Sequence, residues 1–411
     1  MVYSESRLET LENGLRVAML PVQNTRLIHC GLMINAGSRD EEEQNNGVAH
    51  LIEHTVFKGT KNRKAYHILN RMESVGGELN AFTSREKTCY FVSCLREHAG
   101  RAIELLSDIT FNATFPEKEI DKEKGVIMEE FEMYQDSPED SIVDEFLSRL
   151  FPGHPLGFDI LGTPDSLKRL GREDILSFLG QNYAPGNMVL TMTGNVPANR
   201  MKYYAGKYFD RELPANSPAK REAPPVIEPF DYAVPKDFMQ QHAMIGGKAP
   251  ARTDDKRFPM LLINNILGGS GMSARLNMEI REKRGYTYNL WSHYSPFQDT
   301  GIFSVYLGTE QAYLDKSIKL TFKEFKKLRD KPLSDQALRT AKKQMKANIA
   351  MMQENYAVIM QSMAKNLLDY DHIIPLDTFF EKLDAVTKQD IMETAAEYLD
   401  PEKVNILKYV K

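Results

Sequence analysis

The chain has 411 residues, of which 42% are hydrophobic and 27% are charged, a composition typical of folded globular proteins and not of disordered or fibrous ones. Its net charge of −5 gives no reason to expect a nucleic-acid partner. Three cysteines without a CxxC spacing argue against a disulfide framework and against a thiolate zinc site.

Hydrophobic patterning predicts strands and helices along the first half of the chain without a strict β-α-β order. Asn45 and Asn46 are typical helix caps and Gly59 is a typical helix end, so a helix is predicted over 47–58. The other predicted elements are strands at 14–20, 26–36, 78–82, 87–95 and 187–193 and helices at 64–75, 97–113, 117–134 and 139–150. This mixture favours an α+β fold over a doubly wound sheet.

The helix at 47–58 carries His50, Glu53 and His54, which form an H-x-x-E-H pattern. At 100° per residue these side chains fall within an arc of roughly 60°, so the two imidazoles can hold one zinc ion from the same side. A carboxylate beside the metal can take a proton from a water molecule in the open coordination position. Two histidines and an acid can also share a helix by chance, so the zinc interpretation requires a third ligand.

The helix at 117–134 offers two candidates for the third ligand. Glu123 and Glu130 are two turns apart and share a face with the apolar residues Ile120 and Ile127. Carboxylates on an apolar face are costly unless they are paired or bind a metal. Because this segment is rich in acidic residues, a solvated charged helix is the alternative, and the spacing does not choose between the two glutamates.

A linker and an internal repeat divide the chain near its midpoint. Residues 211–230 contain five of the 20 prolines, which is typical of an extended linker. Asp174 and Asp390 begin similar Asp-Ile segments that both end in a Tyr and a Pro, at an offset of 216 residues. The sequence therefore predicts two similar domains, at 1–210 and 231–411.

The second half has no H-x-x-E-H pattern, and the repeat places Ala341 and Asn348 opposite Glu123 and Glu130. This half is therefore predicted to lack a metal. A glycine-rich segment at 267–273 lacks the Gly-Lys-Ser/Thr ending of a phosphate-binding loop, so nucleotide binding is not expected.

HLIEHTVFKGT, with VIMEEFEMYQDSPED downstream, resembles the zinc segment of the pitrilysin, insulin-degrading and mitochondrial-processing peptidases, the inverzincins. The resemblance extends over the whole chain and includes NAFTSREKTCY, GHPLGFDILGT and LGGSGMSARLNMEIREKRGYTY. It implies two similar domains, each a mostly antiparallel sheet packed with helices, that form the halves of a clamshell. It also implies a half-length bacterial-type member of the family.

The resemblance also assigns a role to each candidate site residue. His50, His54 and Glu130 match the zinc ligands, Glu53 matches the general base, and Glu123 matches a carboxylate that hydrogen-bonds the site. The matching substrate-binding residues are the backbone of Asn80, Ala81 and Phe82 on an edge strand, together with the side chains of Arg281 and Tyr288. Without the resemblance, Arg281 and Tyr288 are ordinary surface and packing residues, and 78–82 is merely an edge strand.

These observations predict a zinc endopeptidase with one Zn²⁺ per chain that cleaves peptides and unfolded segments in a closed chamber. A homodimer is expected, in which Arg281 and Tyr288 of one chain complete the zinc site of the other. The alternatives are a non-catalytic scaffold or substrate-presenting subunit of a processing-peptidase-like complex and a hydrolase of small amides. No secretory signal or membrane span is recognisable, so a cytoplasmic location without a membrane partner is expected.

Overall fold

The structure is a computed structural model that describes residues 6–213, 219–226 and 228–411, so part of the predicted linker lies outside the described residues. The described residues form two sheets with helices packed against them. The strands are β1 Arg7–Thr10, β2 Arg16–Pro21, β3 Leu27–Ile34, β4 Glu78–Thr83, β5 Thr88–Leu95, β6 Met188–Gly194, β7 Asp231–Pro235, β8 Gln241–Ala249, β9 Thr287–Pro296, β10 Gly301–Thr309 and β11 Asn405–Val410.

The helices fall between these strands and vary widely in length. They are α1 Val48–Thr55, α2 Ala65–Glu73, α3 Ala99–Asn112, α4 Glu117–Asp136, α5 Pro138–Leu150, α6 Pro164–Arg169, α7 Arg172–Asn182, α8 Ala198–Phe209, α9 Arg257–Gly268, α10 Leu314–Asp330, α11 Asp335–Met352, α12 Tyr356–Tyr370, α13 Leu376–Ala385 and α14 Lys388–Tyr398. Within the described ranges, no helix is long and apolar enough to cross a membrane.

The first sheet has the strand order β1-β2-β6-β3-β5-β4. Its strands pair antiparallel except for β2 with β6, which are parallel. The central strand β3 is buried from Ile28 to Ile34 because helices α3 and α12 both pack against it. Strand β4 stands at one edge, with β5 as its neighbour in the sheet.

The second sheet has the order β7-β11-β8-β10-β9, and its parallel pair is β7 with β11. Its apolar core lies between strands β8 and β10 and helices α9, α10 and α14, with Phe303, Phe325 and Leu262 fully or almost fully buried. Two units with mixed, mostly antiparallel sheets confirm the predicted α+β class and the predicted pair of similar domains.

The two compact units are discontinuous in sequence. The first comprises Met1–Phe131, Phe158–Glu222 and Met351–Leu376, and the second comprises Glu132–Gly157, Ala223–Ala350 and Asp377–Lys411. The units therefore cross the continuous boundaries predicted at 1–210 and 231–411. Helix α12, from the second half of the chain, packs on β3 and β6 of the first unit, and α5, from the first half, packs on β8 and β11 of the second.

Candidate metal centre

Helix α1 carries the H-x-x-E-H pattern, and its N-terminus is held by a buried carboxylate. Glu41 accepts hydrogen bonds from the backbone N–H groups of Gly47 and Ala49, both at 2.8 Å, and from Asn46 Nδ2 at 2.9 Å. Gly47 has a φ of 93°, and a Cβ at this position would lie 2.8 Å from Leu161 O, so glycine is required here. The hydrogen bonds to Glu41 and the close approach of Gly47 to Leu161 thus fix the position of the N-terminus of α1.

Burial perturbs the ionisation of Glu41, which is only 3% exposed. Desolvation raises the pKa of Glu41 to about 8, even though its hydrogen bonds with Ala49, Gly47 and Asn46 act in the opposite direction. The sequence alone does not single out Glu41, because an acid nine residues before the first histidine of the motif has no recognisable spacing.

Two histidines of α1 lie one turn apart and face the same side. The ring centroids of His50 and His54 are 4.6 Å apart. Burial, with a contribution from the neighbouring His54, lowers the pKa of His50 to about 3, so its imidazole is neutral at physiological pH. A neutral imidazole is the form that binds a metal ion.

Glu130 on α4 completes a group of three possible ligands. Its Oε2 lies 3.6 Å from His54 Nε2 and 3.9 Å from His50 Nε2, and the ligand atoms of the three residues all lie within 4.8 Å of one another. These distances are too long for hydrogen bonds. Ligands about 2.1 Å from a tetrahedral zinc ion lie roughly 3.4 Å apart, so the three residues fit a shared ion better than direct contact with one another.

Glu123 lies deeper than Glu130 and meets different atoms. His54 Nδ1 donates a hydrogen bond to Glu123 Oε2 at 3.2 Å, and Lys58 Nζ lies 2.7 Å from Glu123 Oε1. Because an ionised carboxylate only accepts, this contact places the proton of His54 on Nδ1 and leaves Nε2 free to bind a metal. Lys58 was missed in the sequence, although it follows His54 by one helical turn.

Glu53 is half-buried on the same helix. Burial is the main cause that raises the pKa of its carboxyl group, and the negative charge of Glu130 acts in the same direction. The structure thus brings together His50, His54, Glu130, Glu123 and Glu53, all of which were singled out from the sequence.

The predicted substrate strand is β4, which packs against α1. Ala81 pairs with Tyr90 and Phe82 pairs with Cys89 of β5, so the backbone along one edge of β4 is already paired within the sheet. On β4 itself, the N–H of Ala81 donates to the side chain of Asn80 at 2.8 Å. The ring of Phe82 packs against Phe91, with 6.3 Å between centroids, and thus takes part in the core.

Arg281 and Tyr288 lie in the second unit, where they contact each other. Arg281 lies in the short π-helical segment Asn277–Glu282, and its guanidinium carbon lies 4.8 Å from the centre of the Tyr288 ring. The Tyr288 side chain is 82% exposed and therefore accessible to a ligand. Ala341 and Asn348, which the repeat places opposite the two glutamates, line a cavity of about 450 Å³ in the same unit.

Within residues 6–213, 219–226 and 228–411, the group formed by His50, His54 and Glu130 is the only one with the geometry for a metal ion. The roles assigned to the individual site residues stay predictions.

Sequence comparisons match the chain to a known family over most of its length. Residues 16–164 match the description "Insulinase (Peptidase family M16)" and residues 169–345 match "Peptidase M16 inactive domain". The uncharacterized zinc protease YmxG of Bacillus subtilis is 31% identical over 382 residues, which cover 93% of both chains. An uncharacterized zinc protease of Streptomyces coelicolor is 31% identical over 400 residues, with 96% of this chain and 87% of the relative covered.

Solved structures show the same fold. A protease from Helicobacter pylori has a TM-score of 0.88 at 23% identity and is covered over 99% of both chains. A structure from Pseudomonas fluorescens described as a peptidase M16 inactive domain has a TM-score of 0.91 at 21% identity, with 98% of both chains covered.

Proposed function

Because the chain belongs to the M16 family of zinc peptidases, we propose that it is a zinc-dependent endopeptidase that hydrolyses peptide bonds. The observation that carries this proposal is the separation of 3.6 and 3.9 Å between Glu130 Oε2 and the two imidazole nitrogens of His54 and His50. Such distances match the edges of a tetrahedron around a metal ion and match no direct hydrogen bond.

One zinc ion per chain would be held by His50, His54 and Glu130. When bound, zinc supplies Lewis-acid chemistry, which polarises the scissile carbonyl and makes a water molecule more acidic. Glu53 takes the proton of the attacking water on its carboxylate and returns it to the leaving amine. Glu123 holds the Nδ1 proton of His54 and so keeps Nε2 directed to the ligand position.

Substrate would bind as an added strand along the edge of the first sheet. The backbone of Asn80, Ala81 and Phe82 would pair with an extended peptide, which requires the chain being cut to be unfolded locally. The position of β4 at the sheet edge and against α1 supports this assignment. Arg281 and Tyr288 would donate hydrogen bonds to the carbonyl oxygen at which negative charge develops.

Two similar units in one chain, one with the metal group and one with Arg281 and Tyr288, support a homodimer with shared sites. In this proposal cleavage takes place in a closed chamber that admits peptides and unfolded segments and excludes folded proteins. A cytoplasmic location is part of the same proposal.

The first test combines activity and metal content. Wild type should cleave a quenched-fluorescent peptide, and chelation should abolish the cleavage. Glu53→Gln should lower kcat by roughly 10²–10⁴-fold while the zinc content stays at one ion per chain, because general-base catalysis contributes about that factor. Glu43→Gln, which changes an exposed acid before the same helix, should leave the rate unchanged.

The outcome separates the alternatives. A chain that binds zinc but cleaves no peptide would be a scaffold or substrate-presenting subunit. Cleavage of short amides with no gain from a longer peptide would indicate a small-amide hydrolase, because strand addition along β4 would then contribute nothing.

A further inference from the structure

The described end of the linker contains a buried arginine that does not belong to the metal centre. Arg221 lies directly before Glu222, after which the chain returns from the first unit to the second unit at Ala223. Its side chain is 6% exposed, and it contacts both carboxylate oxygens of Asp40 through Nε at 2.9 Å and Nη2 at 2.7 Å. Paired, charge-assisted contacts of this kind fix both the position and the orientation of the partner.

The same guanidinium reaches the turn that joins β4 to β5. Arg221 Nη2 donates to Glu86 O at 2.9 Å and to Asn35 O at 3.0 Å. Arg39 adds a second connection, because its Nη1 lies 2.7 Å from Glu86 Oε1 and its Nη2 donates to Glu222 O at 2.7 Å. Two arginines thus join the linker to the hairpin turn.

Residues 37–41 lie between this turn and the metal helix. The N–H groups of Ser38 and Arg39 donate to Ser84 O at 3.2 Å and to Arg85 O at 2.7 Å. Gly37 fits so closely that a Cβ there would lie 2.0 Å from Ser84 O. The next residue after Asp40 is Glu41, which holds the N-terminus of α1.

We propose that Arg221 is a positioning residue that fixes the substrate strand β4 relative to the metal helix α1. The catalytic consequence of this inference rests on the proposed peptidase function. The connection of residues 37–41 to the β4–β5 turn through Arg221 rests on the observed contacts alone. Through Asp40 the guanidinium holds the segment that leads to α1, and through Glu86 it holds the turn that ends β4. Loss of the guanidinium leaves the buried carboxylate of Asp40 without this cation and releases both attachments.

Hydrogen exchange tests whether Arg221 holds the segment 37–41 against the β4–β5 turn, and it requires no enzymatic activity. In Arg221→Met, the amides of Ser38 and Arg39 should exchange at least roughly tenfold faster, since a charge-assisted anchor of the local structure is lost. The amides of the central strand β6 should keep their protection. Unchanged exchange at Ser38 and Arg39, or an equal increase across the whole unit, would overturn the proposal.

Kinetics test the catalytic consequence. Arg221→Met should lower kcat/KM for a peptide at least about tenfold, mainly through KM and at unchanged zinc content, because a displaced β4 pairs less well with an extended peptide and binds it more weakly. Arg221→Lys keeps the charge but cannot make the paired contacts, so it should recover only part of the activity. Lys220→Met, a change at the exposed neighbouring residue, should match wild type.

Peptide cleavage tests the proposed peptidase function, and hydrogen exchange tests the positioning role of Arg221 independently. If wild type cleaves no peptide, the proposed function fails, whereas the exchange of Ser38 and Arg39 still decides whether Arg221 holds the segment. If Arg221→Met does not fold, KM and the exchange of the Ser38 and Arg39 amides are compared with wild type in Arg221→Lys and Asp40→Asn instead. Wild-type KM and wild-type exchange in both of these variants would contradict the positioning role.

Discussion

At the residue scale, two identical side chains on one helix face meet different partners in the candidate metal centre. Glu130 Oε2 lies near both imidazole Nε2 atoms, whereas Glu123 lies between His54 Nδ1 and Lys58 Nζ. Helical spacing places both carboxylates on the same face and therefore cannot distinguish them. The distinction comes from the atoms that each carboxylate meets, which is a property of the packing of α4 on α1.

Separate removal of the two glutamates should show this difference as metal affinity. Glu130→Ala removes a proposed ligand and should abolish stoichiometric zinc binding. Glu123→Ala removes only the acceptor that orients His54, so zinc should still bind at one ion per chain with an affinity lower by about 10 to 100-fold. Competition with a chromophoric chelator measures both values.

The matched control is Glu129→Ala, because Glu129 is an exposed acid next to Glu130 on the same helix. Its zinc affinity should equal that of wild type. If Glu123→Ala lost the metal and Glu130→Ala kept it, the assignment of the two carboxylates would be reversed.

His242 on β8 is a buried ionisable residue of the second unit, far in sequence from the proposed metal ligands. It is 4% exposed, its Nδ1 lies 2.9 Å from the Tyr306 hydroxyl, and desolvation lowers its pKa from 6.5 to about 4. Between these two pH values the unfolded chain binds a proton that the folded protein does not. The contribution of His242 to the free energy of unfolding should therefore fall by up to about 3 kcal/mol as the pH drops from 6.5 to 4.

Denaturant titrations at several pH values measure this contribution. His242→Gln keeps a polar partner for Tyr306 but does not titrate, so its stability should depend less on pH in this window. His372→Gln, a change at an exposed histidine, is the control and should retain the wild-type pH dependence. An unchanged slope in His242→Gln would show that another group dominates this range.

At the element scale, local patterns predicted the elements well. The strand predicted at 26–36 occurs at Leu27–Ile34, and the helix predicted at 139–150 occurs at Pro138–Leu150. Periodicity shows which face of a helix is buried, but not which sheet covers that face. The sequence could therefore not show that α5 and α12 each pack on the sheet formed mainly by the opposite half of the chain.

Long-range polar contacts were missed for a related reason. In a chain with 27% charged residues, Lys58, Glu41 and Arg221 are indistinguishable by pattern from solvated surface groups. Their roles depend on partners between 5 and 186 positions away in the sequence, which only the fold brings together. The zinc motif was recognisable because its three residues lie within five positions of one another on one helix.

Helices α12 and α5 each pack in the unit formed mainly by the other half of the chain, so a core substitution in either helix should destabilise that unit. Met363 on α12 is fully buried in the core of the first unit, and Phe146 on α5 is 1% exposed in the core of the second. Met363→Ala should destabilise the first unit by about 2–5 kcal/mol, although it lies in the second half of the chain. Phe146→Ala should destabilise the second unit by about 3–5 kcal/mol.

Hydrogen exchange resolved by unit distinguishes the two effects, and each variant is the control for the other. Met363→Ala should lower protection in β3 and β6, and Phe146→Ala should lower it in β8 and β11. If protection were lost only in the half of the sequence that carries the substitution, the packing of α12 on the first sheet and of α5 on the second would not determine the stability of the units.

At the scale of the whole molecule, the chain contains both the three possible metal ligands and the Arg281 and Tyr288 pair, but on different units. In the proposed homodimer, each active site takes its zinc ligands and Glu53 from one chain and Arg281 and Tyr288 from the other. A chain with Glu53→Gln and a chain with Arg281→Ala would then each form inactive homodimers for different reasons.

Mixing the two inactive variants tests this sharing directly. After dissociation and reassociation, half of the dimers pair one chain of each kind, and each of these has one site with an intact Glu53 and an intact Arg281. Activity should therefore return to about a quarter of the wild-type value, as the twofold symmetry requires. If each site were built within one chain, every site would lack one of the two residues and the mixture would stay inactive. Sedimentation of wild type under assay conditions completes the test, because a fully active monomer is incompatible with shared sites.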